Sequence, residues 1–154
     1  MSIVFACAAS HAPGMTAWTE AAPKEQADNF LGGYRRLGER LAAARPEVIV
    51  ALTVEHWANF FLNGMPAFCI GRAAHYDGPV EEWLRIPKAR VPGDKNLAGE
   101  LIDACLDNGF DPTFSDELLF DHATFLPLHF LNPGMAIPVV PIIINTLTPP
   151  MPTA

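Results

Sequence analysis

Residues 48–54 form a continuous apolar run rich in β-branched side chains, and this run constrains the fold more than any other stretch of the chain. Such a run is typical of a strand that is covered on both faces, as in a parallel sheet. It ends in Glu55 and His56, and the apolar run at residues 3–9 ends in the same way at His11. In open α/β sheets, ligands bind outside the carboxyl ends of the strands. The two histidines therefore indicate a shared metal or catalytic site.

The pattern around these runs predicts one α/β domain, with a mainly parallel sheet flanked by helices. Residues 24–45 carry apolar side chains at the spacing of one helical face, and Pro46 ends the predicted helix. Strand, helix and strand then form a βαβ unit. The other predicted elements are, in chain order, a helix at 95–108 capped by Asp94, a short strand at 111–115, a helix at 123–131 opened by Asp121 and His122, and a strand at 137–145.

Prolines and glycines mark the irregular parts. Pro138 and Pro141 lack an N–H, so the last strand is expected to lie at an edge of the sheet or to start late. Residues 71–94 contain three prolines and three glycines and are predicted to be a long loop, which is typical of a lid or a binding loop. Asn63-Gly64 favours a tight turn and a short hairpin-like excursion.

The composition excludes several classes of function. A net charge of −7 and a pI of about 5.1 argue against non-specific nucleic-acid binding, which needs clustered basic side chains. We expect neither a signal peptide nor a membrane span. Cys7, Cys69 and Cys105 are odd in number and lie in apolar surroundings. They are predicted to be buried thiols of a reduced, cytoplasmic protein.

His11 and His56 are the first candidates for a metal site, because neutral imidazole is the commonest metal ligand in proteins. The competing interpretation is that each is a structural residue at a strand end. Two histidines and a carboxylate would match a non-heme Fe(II) site, but the carboxylate is missing. Glu55 is a poor third ligand, since successive strand residues point to opposite faces. Asp121 could be a ligand, orient a neighbour or cap the helix that follows.

His122 stands at the predicted start of a helix. There the positive helix end favours the neutral imidazole, which suits a base or a hydrogen-bond partner. The competing interpretation is a partly exposed residue of a helix terminus. His129 is predicted to lie at the edge of the core and His75 to be solvated.

Five segments in register resemble the class III extradiol ring-cleavage dioxygenases, the superfamily of the protocatechuate 4,5-dioxygenase β subunits. These segments are Ser10-His11-Ala12-Pro13, Glu55-His56-Trp57-Ala58-Asn59-Phe60-Phe61, Met65-Pro66-Ala67-Phe68-Cys69-Ile70-Gly71, Asp121-His122-Ala123-Thr124-Phe125-Leu126-Pro127-Leu128 and Pro138-Val139-Val140-Pro141-Ile142-Ile143-Ile144-Asn145. The chain departs from the family pattern at Glu55, where many members carry Asp, and at Ala123, where many carry Gly.

The resemblance implies that His11 and His56 bind Fe(II) and that His122 lies beside a bound catechol as a proton-transfer residue without binding the metal. It also implies that residues 1–154 are the N-terminal portion of an extradiol dioxygenase catalytic domain. The family's glutamate ligand and a second active-site histidine would then belong to a part that follows. Such a portion is expected to expose apolar surface and to self-associate.

Two functions follow from the resemblance. The first is extradiol cleavage of a catecholic ring by O2, in a homo- or hetero-oligomer, with Trp57, Phe60, Phe61 and Phe125 as candidate walls of an apolar pocket. The second is a non-catalytic, Memo-like or regulatory member of the same fold. The identity of the catechol is open. Arg85, Lys88 and Arg90 could meet a substrate carboxylate, although a solvated basic loop is the simpler interpretation.

Overall fold

The structure, a computed structural model, describes residues 2–149 and 151–152 and has the predicted α/β architecture. Three helices, six strands and several short 3-10 turns make up this part of the chain. The helices are α1 (Lys24–Ala44), α2 (Lys95–Asp107) and α3 (His122–Leu131), and the strands are β1 (Ile49–Thr53), β2 (Phe68–Gly71), β3 (His75–Gly78), β4 (Ala89–Pro92), β5 (Thr113–Ser115) and β6 (Val139–Ile144). Within the described residues, no helix combines the length and the apolar character needed to cross a bilayer.

Four strands form the main sheet in the order β1-β6-β2-β5. The β1–β6 and β2–β5 pairs are parallel, whereas β2 runs antiparallel to β6. The prediction of a mainly parallel sheet is therefore confirmed. The prediction that residues 48–54 are covered on both faces is wrong for the described residues, because Val50 and Leu52 on one face of β1 are 40% and 71% exposed. β1 is also an edge strand of the sheet.

Strand β6 lies inside the sheet, so the edge alternative for this strand is wrong and the late start is correct. The strand begins at Val139, just after Pro138. The antiparallel pairing of β6 with β2 ends at the Ile70–Ile142 pair, immediately before Pro141, which has no N–H to donate. A Cβ at Gly71 would lie 2.5 Å from Cγ of Pro141, so the glycine lets the two strands approach at this point.

The two faces of the sheet bury separate apolar clusters. Neighbouring residues on β6 point to opposite sides: Val139 belongs to a cluster that includes Phe125 and Leu128 of α3, and Val140 to a cluster with Ile102 of α2. Helices α3 and α2 therefore cover opposite faces, and α1 packs against α3. This arrangement places the first residue of α3 near the carboxyl end of β1.

The predicted helices are confirmed to within a residue or two. α1 ends at Ala44, and Arg45 follows in the left-handed conformation with φ of 48°. Asp94 caps α2 as predicted, because its Oδ1 accepts the backbone N–H groups of Asn96 and Leu97 at 3.1 and 3.0 Å. Gly109, with φ of 79°, follows this helix.

The N-terminal segment is not the strand that the sequence predicts. Residues 3–9 pair with no strand in the described part of the chain, and Ile3 is 90% exposed. α1 holds the segment instead: the Tyr34 hydroxyl donates to the Ser10 carbonyl, and the Arg40 guanidinium lies 5.7 Å from the centre of the Phe5 ring. The βαβ unit therefore lacks its first paired strand, and the expected exposed apolar surface is present.

Residues 71–94 are more regular than predicted. β3 and β4 form an antiparallel hairpin within them, so the prediction of a long irregular loop is wrong. The turn at Asn63-Gly64 is confirmed, since the Gly64 N–H donates to the Phe61 carbonyl at 2.9 Å. The cysteines are free thiols. Cys69 is buried as predicted and Cys105 half-buried, whereas Cys7 is exposed, because the segment that carries it is uncovered.

Candidate metal centre and active site

Three histidines from distant parts of the sequence meet in one place. The ring centres of His11 and His56 lie 5.4 Å apart, and those of His11 and His122 lie 5.9 Å apart. His56 and His122 are closest, at 4.2 Å, with their rings stacked at an angle of 24°. The structure therefore brings together all three of the site residues that the sequence singles out.

His11 lies on the loop that leaves the N-terminal segment. A 3-10 turn at Pro13–Met15 begins two residues later, and the bond from Tyr34 to the Ser10 carbonyl fixes the preceding residue. Burial lowers the pKa of His11, the neighbouring His56 and His122 lower it further, and Asp121 opposes them. The neutral imidazole, which is the form that binds metals, is therefore favoured here.

His56 follows the carboxyl end of β1, and Asp121 holds it. One oxygen of this buried carboxylate, Oδ2, accepts both the backbone N–H of His56 at 2.6 Å and the ring Nδ1–H at 3.0 Å. The other oxygen, Oδ1, accepts the Ala123 N–H at 3.0 Å and so caps α3. Asp121 thus performs two of the roles that the sequence left open, orienting a neighbour and capping the helix.

His122 is the first residue of α3, and Glu81 holds it. Oε1 of Glu81 lies 2.6 Å from the ring Nδ1 and accepts the backbone N–H of His122 at 3.1 Å. Burial alone would lower the pKa of His122, but the bond to Glu81 and the charges of Asp121 and Glu81 outweigh burial and raise it. The expectation that the helix end favours the neutral ring is therefore wrong, because the negative charges of two nearby carboxylates favour the protonated ring.

Glu55 supports the loop that carries His56. Its carboxylate is 3% exposed and points into the backbone of the next turn. Oε2 accepts the N–H groups of Ala58 and Asn59 at 2.9 and 2.7 Å, and Oε1 accepts that of Phe60 at 3.2 Å. Glu55 is thus occupied with backbone donors, which agrees with the argument that it is a poor metal ligand.

Asn59 ties this loop to the chain that precedes α3. Its side-chain amide donates to the Leu119 carbonyl at 2.9 Å and accepts the Leu119 N–H at 2.8 Å. The hydroxyl of Thr124 also donates to that of Thr53 at 3.2 Å. The end of β1 and the start of α3 are therefore fixed to each other by side chains as well as by Asp121.

Glu81 and the tryptophans beside it were not predicted as site residues. The Trp83 ring lies 5.9 Å from that of His122 and stacks on Trp18 with ring centres 5.4 Å apart. The contact between Glu81 and His122 spans 41 residues, so no local spacing points to it. The only sequence signal is an acidic, aromatic Glu-Glu-Trp stretch inside the proline-containing segment.

The predicted pocket walls divide into two groups. Phe125 is fully buried and Phe60 packs against the same core cluster. Trp57 and Phe61 are exposed and line an open apolar hollow of about 350 Å³, in the chain segment that follows His56. His129 is half-buried and His75 is exposed, as predicted.

The basic side chains that could meet a substrate carboxylate face acids of the protein itself. Arg85 lies 4.0 Å from Glu20, Lys88 lies 3.6 Å from Glu82, and the guanidinium of Arg90 bonds to both oxygens of Asp77; every one of these side chains is exposed. The solvated interpretation of this stretch is therefore favoured.

The donor set fits a divalent transition metal. His11 and His56 offer imidazole nitrogens, and Asp121 occupies Nδ1 of His56, so that Nε2 is the ring nitrogen left for a metal. A carboxylate on the other ring nitrogen is the usual support of a metal-binding histidine. His56, Asp121 and His122 also offer ligand atoms that all lie within 4.8 Å of one another.

The cluster of histidines and carboxylates lies outside the carboxyl end of a strand, which is where open α/β sheets bind their ligands. The chain belongs to the family described as the catalytic LigB subunit of aromatic ring-opening dioxygenase, which it matches over residues 5–154. This assignment confirms the family resemblance read from the sequence.

Curated relatives carry the name 2,3-dihydroxyphenylpropionate/2,3-dihydroxicinnamic acid 1,2-dioxygenase. The protein from Mycolicibacterium vanbaalenii is 31% identical over 94% of this chain and 44% of its own length. That from a Mycobacterium species is 32% identical over 98% of this chain and 47% of its own length. That from Photorhabdus laumondii is 34% identical over 78% and 37%, respectively. The chain thus spans about half the length of the relatives that it matches.

Proposed function

We propose that this chain supplies part of the active site of a non-heme Fe(II) dioxygenase that cleaves a catecholic ring beside its two hydroxyls with O2. The observation that carries the proposal is the cluster of His11, His56 and His122, in which two of the three imidazoles are held at Nδ1 by a carboxylate, the buried Asp121 and the partly buried Glu81. Membership of a family of ring-opening dioxygenases supports the reaction class.

His11 and His56 are the proposed Fe(II) ligands. A metal ion lies in the plane of each imidazole that binds it. The rings of His56 and His122 are stacked at 24°, whereas the His11 ring is inclined at 51° to each of them, and the family resemblance favours His56 as the second ligand. Fe(II), when bound, supplies a redox-active Lewis acid that brings a catechol and O2 together. Asp121 and Glu81 each hold a histidine Nδ1, and the carboxylate ligand stays unassigned.

His122 is proposed as the acid–base residue. Glu81 holds Nδ1, so Nε2 is the nitrogen that can exchange a hydrogen bond or a proton with a substrate hydroxyl. The two carboxylates that raise the pKa of His122 also stabilise the imidazolium that forms when this nitrogen takes a proton. The Trp83 ring lies beside the same ring, with ring centres 5.9 Å apart.

The names of the relatives suggest the first substrate to test, a catechol with a short carboxylate side chain next to the hydroxyls. We further propose that the protein works in the cytoplasm as a homo- or hetero-oligomer. The three free thiols support a reducing compartment, and the exposed apolar side chains of the N-terminal segment and of β1 support association.

The test is a set of single substitutions assayed for iron content and for catechol-dependent oxygen uptake. In the active enzyme, His11→Ala and His56→Ala should lose iron and activity together. His122→Ala should keep its iron and slow turnover about 100-fold or more, as expected for a lost acid–base group. His75→Ala, at an exposed histidine away from the cluster, is the matched control and should change neither quantity.

Retention of iron by the His11→Ala variant would refute the metal assignment. A folded wild-type protein that binds no Fe(II) would favour the non-catalytic alternative within the same family.

A further inference from the structure

We propose that Glu81 is the positioning residue of His122. Its carboxylate holds the Nδ1–H of the ring, so that Nε2 alone faces the substrate. The inference rests on the proposed function only for the role of His122 in catalysis. The orientation itself is a property of this chain and can be measured without metal or substrate.

Glu81 makes two hydrogen bonds to His122. A single carboxylate oxygen, Oε1 of Glu81, binds the backbone N–H and the ring Nδ1 of His122 at 3.1 and 2.6 Å. The side chains of Glu81 and His122 are only 13% and 11% exposed, so water competes weakly for these bonds. Because both bonds use one oxygen, the ring is fixed relative to the first turn of α3.

Asp121 makes the same pair of hydrogen bonds to His56. Oδ2 of Asp121 binds the backbone N–H and the ring Nδ1 of His56 at 2.6 and 3.0 Å. Each of the two stacked rings is therefore held at its Nδ1 by a carboxylate of its own. This repetition indicates that orientation of the imidazoles, rather than an incidental ion pair, is what the carboxylates provide.

Glu81 differs from Asp121 in the use of its second oxygen. Asp121 caps α3 with its second oxygen, whereas Oε2 of Glu81 is buried without a hydrogen-bond partner among the described residues. An unpaired buried acceptor costs stability, so the second oxygen of Glu81 has no capping role like that of Asp121. Holding the ring of His122 is the role that its contacts support.

The backbone around Glu81 is tied to the same site. The N–H of Val80 donates to the Phe120 carbonyl at 3.0 Å, and Trp83 packs near the His122 ring. Glu81 therefore approaches His122 from a segment that is bonded to the chain just before α3. This attachment keeps the carboxylate in register with the histidine.

The experiment compares three variants of the 154-residue chain without metal. Glu81→Leu removes the acceptor at similar size, Glu81→Gln keeps a carbonyl oxygen for both bonds, and Glu82→Gln is the matched control at the exposed neighbour. NMR of isotope-labelled histidine reports which ring nitrogen carries the proton. The His122 signal is assigned by its loss in His122→Asn, and spectra are taken near pH 8.5, about two units above the ordinary histidine value.

The wild type, Glu81→Gln and Glu82→Gln should show a proton on Nδ1 of His122. Glu81→Leu should shift that proton predominantly to Nε2. A wild-type His122 with an unprotonated Nδ1, or a Glu81→Leu variant with an unchanged spectrum and an intact fold, would overturn the inference. Circular dichroism distinguishes the last case from unfolding.

Kinetics in the active enzyme give the second measurement. Glu81→Leu should lower kcat about 10-fold to 100-fold with little change in KM or in iron content, and Glu81→Gln should recover part of the loss. An equal loss in both variants would contradict positioning by the hydrogen bond. Absence of ring cleavage in the wild type would instead refute the proposed function and leave the NMR result as the test of orientation.

Discussion

Replacing Glu55 with glutamine tests whether this buried carboxylate organises the loop that carries His56. The glutamate accepts three backbone N–H groups with its two oxygens, from Ala58, Asn59 and Phe60. Glutamine has nearly the same size but only one acceptor oxygen, and its amide nitrogen is a donor. The substitution therefore changes hydrogen bonding with almost no change in packing.

The magnitude follows from the bonds that are lost. If the amide oxygen keeps the bonds to Ala58 and Asn59, the amide nitrogen faces the N–H of Phe60, and that partly buried donor loses its partner. An unsatisfied buried group costs about 1–3 kcal/mol, and the remaining bonds lose their charge assistance. We expect a loss of about 3 kcal/mol in the free energy of unfolding. For a chain of this size this corresponds to a decrease in Tm of about 6–12 °C.

Urea denaturation followed by circular dichroism measures the free energy of unfolding, and a thermal melt gives Tm. Glu47→Gln, at an exposed glutamate just before β1, is the control and should stay within about 0.5 kcal/mol of the wild type. A Glu55→Gln protein as stable as this control would show that the three backbone donors do not depend on the carboxylate.

Three further outcomes are expected. The pKa of Glu81 lies below 4.5, since its bonds to His122 outweigh burial, and that of His122 lies above 6.5. The contribution of Glu81 to the free energy of unfolding is lost as pH falls through its lowered pKa, and that of His122 is lost as pH rises through its raised pKa. Urea titrations should therefore show the largest stability difference between wild type and Glu81→Leu between about pH 4.5 and 6.5. A thiol reagent should label the exposed Cys7 rapidly and spare Cys69, whose pKa burial raises to about 12; fast labelling of Cys69 in the folded chain would contradict this. Sedimentation velocity should show concentration-dependent self-association that Leu52→Gln weakens, and a wild-type monomer unaffected by concentration would refute it.

The sequence predicts the local elements well, because their signals lie within a few residues of one another. The apolar periodicity of α1 and the cap at Asp94 depend on i, i+3 and i+4 neighbours, and the structure reproduces both. Strand partners depend on distant segments, and here the predictions fail. Residues 3–9 and β1 have the composition of covered strands, yet the described residues provide no strand beside the first and leave one edge of the second unpaired.

The histidines of the site could be found from the sequence for the same reason. His11 and His56 directly follow apolar runs, and His122 follows a capping aspartate, so each has a local signal. Glu81 has only the weak signal of its Glu-Glu-Trp stretch, because its carboxylate meets His122 across 41 residues through the folding of a hairpin. The direction of the His122 pKa shift was mispredicted because the bond to Glu81 and the charges of Glu81 and Asp121 together outweigh burial.

The hydrogen bonds between the end of β1 and the start of α3 indicate where the segment between these elements can change in length. Asp121 reaches back 65 residues to His56, and Asn59 reaches 60 residues to Leu119, so contacts at the two ends of the intervening segment hold the end of β1 and the start of α3 together. The chain between them can therefore gain or lose residues at an exposed turn without moving an imidazole. The turn at Asn63-Gly64, where a Cβ on the glycine would meet no atom within 4 Å, is such a place. An inserted loop or a fused binding module there would leave the histidine cleft intact.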